Sequence, residues 1–391
     1  MKVGFLGIQC DNPNLGVAAL GYSALRIAHD VAPQGSEFVL FSPDQADNLA
    51  RVGRTLGFTK TRLRAAPIRH RSLSALRATL RELQSCDAVI DLTGGDSFSD
   101  IYGARRLMLK LFDKQLALLA GTALVLAPQT IGPFRSRALV RWVTHVLRHA
   151  TLVFTRDEPS RDTVISLVKR KVTVSTDVAV RLPWRASTRA SGDSPRIAFS
   201  VSGLLWAGGY TKNNQFGLRA DYRGYCDLVV AGLLAAGYEV HLVAHVRARV
   251  TAIAEDDLVA CESLASAHPG CLVAPAFDTP VDAKSYLADM DLLIGSRMHA
   301  TIAAFTAGVA VVPVAYSRKF AGFYSNLGYD AVVDLLSLDE AVAAAMTLSL
   351  VDDRDRLRAM TVVGNQLAQE KIGVFIDQLA ELFDARASLD A

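Results

Sequence analysis

The chain has 391 residues, which is enough for two or three domains, and two is the simplest expectation. Hydrophobic residues make up 51% of the chain and charged residues 21%, so the composition is that of a packed globular protein and not of a disordered one. The formal net charge of +3 is too small to indicate a nucleic-acid partner. No apolar run reaches the roughly 18 residues that a membrane-spanning helix needs.

The cysteines and the first residues of the chain indicate the cellular compartment of the protein. The five cysteines are Cys10, Cys86, Cys226, Cys261 and Cys271, and they form no CxxC pair. Scattered cysteines in apolar stretches indicate reduced core thiols, so we expect neither disulfides nor a metal site. Residues 1–8 are more typical of a first strand than of a secretion signal, and we expect a cytoplasmic protein.

The N-terminal half alternates short β-branched runs with longer segments of helical spacing, the pattern of parallel βαβ units. The predicted strands are 2–8, 37–42, 87–92, 123–127, 152–155 and 172–175. A polar segment of small residues at 184–195 follows Pro183 and is the one convincing linker. We therefore predict an N-terminal domain over residues 1–183.

The same pattern restarts after the linker. The predicted strands are 196–201, 239–245, 271–273, 291–294 and 309–315, with helices near 222–237, 252–268, 298–307 and 318–327. We predict a C-terminal domain over residues 196–350 and a helix in residues 351–391 that packs back on the first domain. The predicted fold class is α/β, with two Rossmann-like, doubly wound domains facing each other across a cleft.

Two segments are rich in arginine. Residues 51–81 contain no acidic side chain, and residues 135–148 mix four arginines with apolar residues, as in a helix that rests on an anionic surface. Such segments predict weak peripheral contact with an anionic membrane, at its inner, cytoplasmic face. An ordinary solvated face is the alternative interpretation.

The residues just past each strand are the candidates for ligand contacts, because ligands of open α/β sheets bind at the carboxyl ends of the strands. The strand 291–294 is followed by Gly295-Ser296-Arg297-Met298-His299. Ser296 is a suitable N-cap, which would place Arg297 and His299 in the first helical turn. Cations at that helix end are unfavourable by a few tenths of a kcal/mol unless an anion is bound, so we predict an anion site. A surface arginine and a histidine bonded within its own loop are the alternative.

Other polar residues are predicted at the same edge. The strand 309–315 ends before Tyr316 and Lys319, and parallel strands bring Lys319 to the edge that carries Arg297 and His299. His245 ends the strand 239–245, although a single histidine there is as often structural. The loop at 202–214, which follows the strand 196–201 and has aromatic residues among Gly and Asn, suits a sugar or is an ordinary surface loop.

The N-terminal domain offers a similar edge. Gly94 and Gly95 allow a tight turn after strand 87–92 and a close approach of the backbone to a ligand, and Asp96 and Ser97 follow. Further polar residues after neighbouring strands are Gln129 and Arg156. The chain lacks a Walker A loop, a GxGxxG after the first strand, HExxH and GxSxG, which argues against nucleotide hydrolysis, dinucleotide binding, zinc proteolysis and hydrolase-elbow chemistry.

Several short motifs occur in a specific order across roughly residues 4–330. They are Asn14-Leu15-Gly16, Asp91-Leu92-Thr93-Gly94-Gly95-Asp96-Ser97-Phe98, Gln129-Thr130-Ile131-Gly132-Pro133, Thr155-Arg156-Asp157-Glu158-Pro159-Ser160, Thr176-Asp177-Val178-Ala179, Gly295-Ser296-Arg297-Met298-His299 and Tyr316-Ser317-Arg318-Lys319. In these motifs the chain resembles the polysaccharide pyruvyl transferase family. The resemblance implies a GT-B-like pair of Rossmann-like domains and transfer of a pyruvyl group from phosphoenolpyruvate to a sugar, as a cyclic ketal.

The resemblance also implies partners and roles. Phosphoenolpyruvate is the donor substrate, no cofactor is needed, and the acceptor is a sugar in a polysaccharide or in its lipid-linked precursor. The expected catalytic residues are Arg297 holding the donor, Lys319 neutralising the leaving phosphate and His299 transferring a proton, with Asp96 as an alternative base. The expected substrate-binding residues are Gly94, Gly95, Asp96, Ser97, Gln129, Arg156, His245, Ser296 and Tyr316.

Two positions depart from the family pattern. Val17 stands where many members have an acidic residue, and Ser202-Gly203-Leu204 stand where many have an arginine. Lys212 or Arg219 would then complete the donor site.

Two other classes of protein fit the same architecture. A GT-B glycosyltransferase or a sugar-nucleotide epimerase would bind a diphosphate at the same helix starts, although residues 298–307 contain no carboxylate to hold a nucleotide ribose. A sugar-binding module without enzymatic activity is the third interpretation. The sequence indicates no particular oligomeric state.

Overall fold

A computed structural model describes residues 1–70, 72–187, 195–247 and 255–388 of the chain. Arg318, Lys319 and Ala321 are described by their backbone only. The chain divides into two compact units. Unit 1 comprises Met1–Asn12, Val17–Leu182 and Gln369–Ala391, and unit 2 comprises Pro13–Gly16 and Pro183–Ala368.

Within its described residues, unit 1 contains one parallel sheet of seven strands, in the order β3-β2-β1-β4-β5-β6-β7. The strands are β1 (Lys2–Leu6), β2 (Glu37–Leu40), β3 (Arg62–Ala65), β4 (Ala88–Asp91), β5 (Ala123–Gln129), β6 (Leu152–Thr155) and β7 (Thr173–Val174). The helices are α1 (Leu15–Val31), α2 (Ala46–Leu56), α3 (Leu73–Gln84), α4 (Ala104–Leu119), α5 (Arg137–His149) and α6 (Glu158–Val168), followed by a 3₁₀ turn at Val178–Arg181.

The central strands of unit 1 are covered on both faces. Every residue of β4 and of β5 is buried, which explains why these strands are apolar instead of alternating, apart from Asp91 and Gln129 at their carboxyl ends. The core beside them includes Leu107 and Leu111 of α4 and Val143 and Val146 of α5. Leu126 of β5 belongs to the same core. Helices α4 and α5 therefore cover the sheet with their apolar faces.

Unit 2 has a second parallel sheet, for which the described residues supply six strands in the order β10-β9-β8-β11-β12-β13. The strands are β8 (Arg196–Ser200), β9 (Glu239–Leu242), β10 (Leu272–Val273), β11 (Leu292–Gly295), β12 (Ala310–Ala315) and β13 (Val333–Asp334). The helices are α7 (Gly203–Trp206), α8 (Tyr222–Ala235), α9 (Asp257–Ala267), α10 (Pro280–Leu287), α11 (Met298–Thr306), α12 (Arg318–Ser325), α13 (Glu340–Asp352) and α14 (Arg354–Ala387).

Both sheets have the strand order of a Rossmann unit, which confirms the predicted α/β class. In each sheet the order reverses at one place, between β1 and β4 in unit 1 and between β8 and β11 in unit 2. The carboxyl ends of the two strands at such a switch point leave a crevice in which ligands of this fold bind. The loops that follow β4, β8 and β11 are therefore where the chemistry is expected.

The observed elements differ from the predicted ones in a few places. Strand β3 lies inside the arginine-rich segment 51–81, where no strand was predicted, and β13 was also missed. The division between the units falls after Leu182. The predicted linker is 184–195, and its residues 188–194 lie outside the described residues. Residues 252–254 of the predicted helix 252–268 also lie outside them, and α9 begins at Asp257.

The C-terminal helix α14 is shared by the two units, with its residues from Gln369 onward in unit 1. There the Ser175 hydroxyl donates to the carbonyl oxygen of Lys371 (2.9 Å), and the ring of Phe375 packs edge-on against Phe154.

Ion pairs neutralise part of the charge of the segment 51–81, and the segment 135–148 packs its apolar residues onto the core of unit 1. Arg64 of β3 forms ion pairs with Glu37 and Glu82. In α5 the apolar residues Val143 and Val146 are buried in unit 1, while all four arginines of segment 135–148 are exposed. The apolar face of α5 is therefore not available to a bilayer, and membrane contact through the arginines alone stays a prediction. Among the described residues, the helices are too short or too polar to cross a membrane.

Candidate functional site

The switch point of unit 2 brings three loops together around one carboxylate. Asp257, the first residue of α9, is 0% exposed. Its Oδ1 accepts a hydrogen bond from the amide of Gly203 (2.7 Å), and its Oδ2 accepts from the amides of His245 (3.1 Å) and Val246 (2.8 Å). These amides follow β8 and β9, so the carboxylate ties both loops to the start of α9.

The fourth partner of Asp257 is Arg297. Its Nε lies 3.0 and 3.1 Å from the two carboxylate oxygens, and its Nη2 lies 2.5 Å from Oδ1 and 2.9 Å from the carbonyl oxygen of Glu255. Burial lowers the pKa of Arg297, but the Asp257 carboxylate raises it by more, so the guanidinium stays charged. Burial raises the pKa of Asp257, and the charge of Arg297 and its hydrogen bonds oppose that shift. The Nη1 group of Arg297 has no hydrogen-bond partner among the described residues.

The start of α11 differs from the prediction by one residue. Ser296 was expected to be the N-cap, but the N-cap is Arg297, in an extended conformation and without a side-chain cap bond. The Ser296 hydroxyl instead accepts from the Tyr222 hydroxyl (3.0 Å), which in turn accepts from the amide of Ser202 (2.9 Å). The unfavourable charge of Arg297 at the helix end, which predicted an external anion, is balanced inside the protein by Asp257.

His245 is the least satisfied polar side chain of this site. It is 3% exposed, and neither ring nitrogen has a hydrogen-bond partner among the described residues. Burial, together with the smaller effects of His299 and Arg297, lowers the pKa of His245 to about 3. The imidazole is therefore neutral near pH 7 and offers one donor and one acceptor to a ligand.

His299, in the first turn of α11, is packed against residues 13–16 of the same unit. A Cβ atom at Gly16 would lie 2.6 Å from Nδ1 of His299 and 2.8 Å from its Cβ and Cγ, closer than real contacts. The segment is held by a hydrogen bond from the amide of Leu15 to the carbonyl oxygen of His245 (3.1 Å) and by a bridge between Asn14 and Val246. Only glycine at position 16 lets the backbone lie on the imidazole.

Tyr316 follows β12 beside the aromatic loop. Its ring packs edge-on against Phe216 at 5.2 Å, and its hydroxyl interacts electrostatically with Arg297. Lys319 is the second residue of α12, and its predicted role as a cation of the site stays a prediction because its side chain is not among those described. Arg219, one candidate for completing the site, donates to the carbonyl oxygen of Ser337.

The switch point of unit 1 is also built on a buried carboxylate. Asp91, at the end of β4, is 1% exposed and accepts from the Thr93 hydroxyl (2.7 Å). Lys114 of α4 is 0% exposed, and its ammonium lies 3.0 Å from Asp91, 2.5 Å from the Thr93 hydroxyl and 4.5 Å from the ring centre of Phe98. Burial lowers the pKa of Lys114, and Asp91 opposes that shift.

This network supports the predicted glycine turn. Thr93, Gly94 and Gly95 all have positive φ angles, of 47, 65 and 82 degrees. The Gln129 amide, at the end of β5, donates to the carbonyl oxygen of Asp91 (2.8 Å), and its Oε1 is buried without a partner among the described residues. The side chains of Lys114 in α4 and Gln129 in β5 therefore hold the start of the turn in place.

Arg156 and Ser97 flank the same turn. A Cβ atom on Gly95 would lie 3.5 Å from Nη1 of Arg156, which donates to Asp177 (2.8 Å). Ser97 is buried and accepts from Arg106, and Asp96 accepts from the Tyr102 hydroxyl (2.7 Å). The structure thus brings the predicted residues of unit 1 together at one turn, and their roles toward a substrate stay predictions.

The comparisons with known proteins agree with the motifs. The model of the polysaccharide pyruvyl transferase family matches residues 14–318, which is most of the chain. The chain belongs to this family. Family membership identifies it as a transferase, and the match spans the motifs around Gly16, Gly95 and Arg297. Among curated proteins, none has a significantly similar sequence.

Several solved structures share the fold of this family member. Anabaena HepE, in complex with UDP and glucose, has 13% sequence identity and a TM-score of 0.59, with 98% of this chain and 99% of that chain covered. UDP-GlcNAc 2-epimerase from Neisseria meningitidis, bound to UDP-GlcNAc, has 11% identity and a TM-score of 0.58 (97% and 100% covered). Acinetobacter baumannii MurG has 17% identity and a TM-score of 0.54 (97% and 99% covered). These are GT-B enzymes, and the likeness shows the fold alone.

Sequence reasoning missed the buried carboxylates that organise the transferase. Asp257 and Asp91 each have a basic partner from another element, Arg297 and Lys114, and nothing local in the sequence marks such pairs. The only available signals were weak ones. Asp256-Asp257 is a typical helix start, and Lys114 interrupts an otherwise apolar face of its helix.

The contact between Gly16 and His299 can be tested by stability. We expect Gly16→Ala to lower the free energy of unfolding by about 1–3 kcal/mol, because the added methyl overpacks the imidazole. The double variant Gly16→Ala/His299→Ala should recover most of that loss in urea denaturation. Gly373→Ala, at a helical glycine with open space around it, serves as the control. An unchanged stability of Gly16→Ala would contradict the contact.

The neutral His245 predicts an acid-dependent stability. Between pH 6.5 and about 3 the unfolded state binds a proton that the folded state does not, so stability falls as the pH falls. The slope is at most about 1.4 kcal/mol per pH unit. We expect wild type to lose stability more steeply than His245→Gln over this range in urea denaturation. Parallel profiles would show that His245 titrates normally.

The buried pair beneath the turn of unit 1 predicts a large loss for Lys114→Met. The variant leaves the Asp91 carboxylate buried without its cation, which costs about 3–5 kcal/mol. Asp91→Asn/Lys114→Met should recover part of the loss, since no charge then remains buried. Arg105→Ala, at an exposed position of the same helix, is the control in urea denaturation. Equal stabilities of Lys114→Met and wild type would rule out the pair.

Proposed function

We propose that this transferase moves the pyruvyl group of phosphoenolpyruvate onto two hydroxyls of a sugar, as a cyclic ketal, and that unit 2 binds the donor. The observation that carries the proposal is His245. A buried imidazole without a hydrogen-bond partner among the described residues, beside Arg297 and His299 at a switch point, is expected where a polar ligand supplies the missing partner.

The groups around His245 suit a small anion. Phosphoenolpyruvate carries a carboxylate and a phosphate, and both need hydrogen-bond donors. The Nη1 group of Arg297 and the first amides of α11 are donors at a positive helix end, and a neutral imidazole can donate one bond more. Because Asp257 cancels the charge of Arg297, the donors hold the ligand mainly by hydrogen bonds and not by excess positive charge.

The proton balance of the reaction needs one residue that can both take and give a proton. Two sugar hydroxyls form two C–O bonds to the central carbon of the donor, and the C–O bond to phosphate breaks. One hydroxyl proton ends on the methylene carbon, which becomes a methyl group, and the other ends on inorganic phosphate. We assign the transfer to His299, since an imidazole is suited to both steps near neutral pH.

The remaining assignments concern the acceptor and the leaving group. We propose that the turn at Gly94, Gly95, Asp96 and Ser97 contacts the acceptor sugar, with Asp96 as the alternative base. Lys319 is proposed to neutralise the leaving phosphate. The acceptor is a sugar of a polysaccharide or of its lipid-linked precursor, and no cofactor takes part in the reaction. A lipid-linked acceptor would place the reaction at the inner face of an anionic membrane.

The proposal predicts a separation of binding and turnover in His299→Ala. Calorimetry should show phosphoenolpyruvate affinity within a few-fold of wild type, while phosphate release in the presence of sugar acceptors falls about 10²- to 10⁴-fold. His149→Ala, at an exposed histidine, is the control and should behave as wild type. The acceptors are a panel of free sugars and lipid-linked oligosaccharides.

A parallel assay with UDP-GlcNAc separates this proposal from a nucleotide-sugar enzyme. Wild type should release phosphate from phosphoenolpyruvate and no UDP from the nucleotide sugar. The reverse result, UDP release or epimerisation without phosphate release, would replace the proposed function.

A further inference from the structure

The position of Arg297 is determined by Asp257 and not by its own helix. Arg297 is the N-cap residue of α11, and its side chain makes no cap bond. Its Nε and Nη2 both contact the carboxylate of Asp257, and Nη2 also reaches the carbonyl oxygen of Glu255. Two parallel bonds between planar groups fix both the place and the plane of a guanidinium.

Asp257 itself cannot adjust without moving other parts of the site. Its two oxygens also accept the amides of Gly203, His245 and Val246. A Cβ atom on Gly203 would lie 2.2 Å from the carbonyl oxygen of Asp256, so the loop after β8 packs directly on the start of α9. Three backbone amides therefore hold the carboxylate in place, and its remaining hydrogen bonds go to Arg297.

This arrangement leaves Arg297 only one edge for a ligand. The edge formed by Nε and Nη2 is occupied, and Nη1 is the part without a partner among the described residues. The backbone of His245, whose side chain lies near Arg297, is bonded to the same carboxylate. One carboxylate thus holds both the guanidinium of Arg297 and the backbone of His245.

We propose that Asp257 is a positioning residue of the transferase, which holds Arg297 so that its Nη1 edge faces the anionic donor substrate. This inference rests on the proposed donor site in unit 2. Asp257 does not touch the donor; it acts through Arg297, and its removal matters to catalysis only while Arg297 is present.

A double-mutant cycle tests this dependence. Asp257→Asn and Arg297→Lys should each lower kcat/KM for phosphoenolpyruvate about 100-fold, because a guanidinium displaced by about 1 Å, or replaced by a point charge, no longer meets the donor. The double variant should be about as impaired as either single variant, since both remove the same interaction. A product of the two losses, about 10⁴-fold, would overturn the proposal, as would wild-type kinetics of Asp257→Asn.

Two further variants separate positioning from folding. Asp257→Glu keeps the charge but displaces it by one methylene. It should lower kcat/KM as Asp257→Asn does, and it provides the test if Asp257→Asn does not fold. Asp256→Ala removes the neighbouring carboxylate, which caps α9 through the amide of Leu258 (3.0 Å). It should lower the melting temperature, and its effect on kcat/KM should multiply with that of Arg297→Lys. Full activity of a folded Asp257→Glu would argue against positioning.

The same cycle distinguishes this inference from the proposed function. If wild type shows no turnover of phosphoenolpyruvate, the proposed function fails, and the cycle is measured on the affinity for inorganic phosphate by calorimetry. Non-additive losses of phosphate affinity would then still support the role of Asp257, and additive losses would overturn it. Wild type that binds neither phosphate nor phosphoenolpyruvate would overturn both.

Discussion

A carboxylate without access to water must be satisfied wholly by the protein, and in unit 2 this constraint falls on Asp257. Its partners are three backbone amides and one guanidinium, which come from three separate parts of the chain. These bonds tie the loops after β8 and β9 and the N-cap residue of α11 to one carboxylate. The positions of His245 and Arg297 follow from that arrangement.

Unit 1 uses the same principle with different residues. Asp91 is buried at the end of β4, is neutralised by Lys114 and accepts from Thr93, which begins a turn of three residues with positive φ. In both units, a buried ion pair lies beneath the residues at the carboxyl edge of a parallel sheet. A buried ion pair in this position can keep the polar groups at that edge in a fixed geometry for a ligand.

The sequence predicted the fold well and the site only in part. Strands such as β4 and β5 were readable because their residues are apolar on both faces, and the Gly94-Gly95 turn was readable because left-handed backbone favours glycine. Strand β3 was missed because its arginines and short length hide it in a basic segment. The pair Asp257–Arg297 was not predictable, because it joins residues 40 positions apart whose contact depends on tertiary packing. The shift of the N-cap to Arg297 has the same origin, since the hydroxyl of Ser296 is bonded to Tyr222.

The tight contact of Gly16 with His299 connects two family motifs that lie far apart in sequence. The glycine of Asn14-Leu15-Gly16 has an ordinary φ, so its backbone alone would tolerate alanine; what excludes a side chain is the imidazole. Evolution at the two sites is then expected to be correlated. A relative that had lost the histidine could accept a larger residue at the first motif, and a relative that keeps it could not.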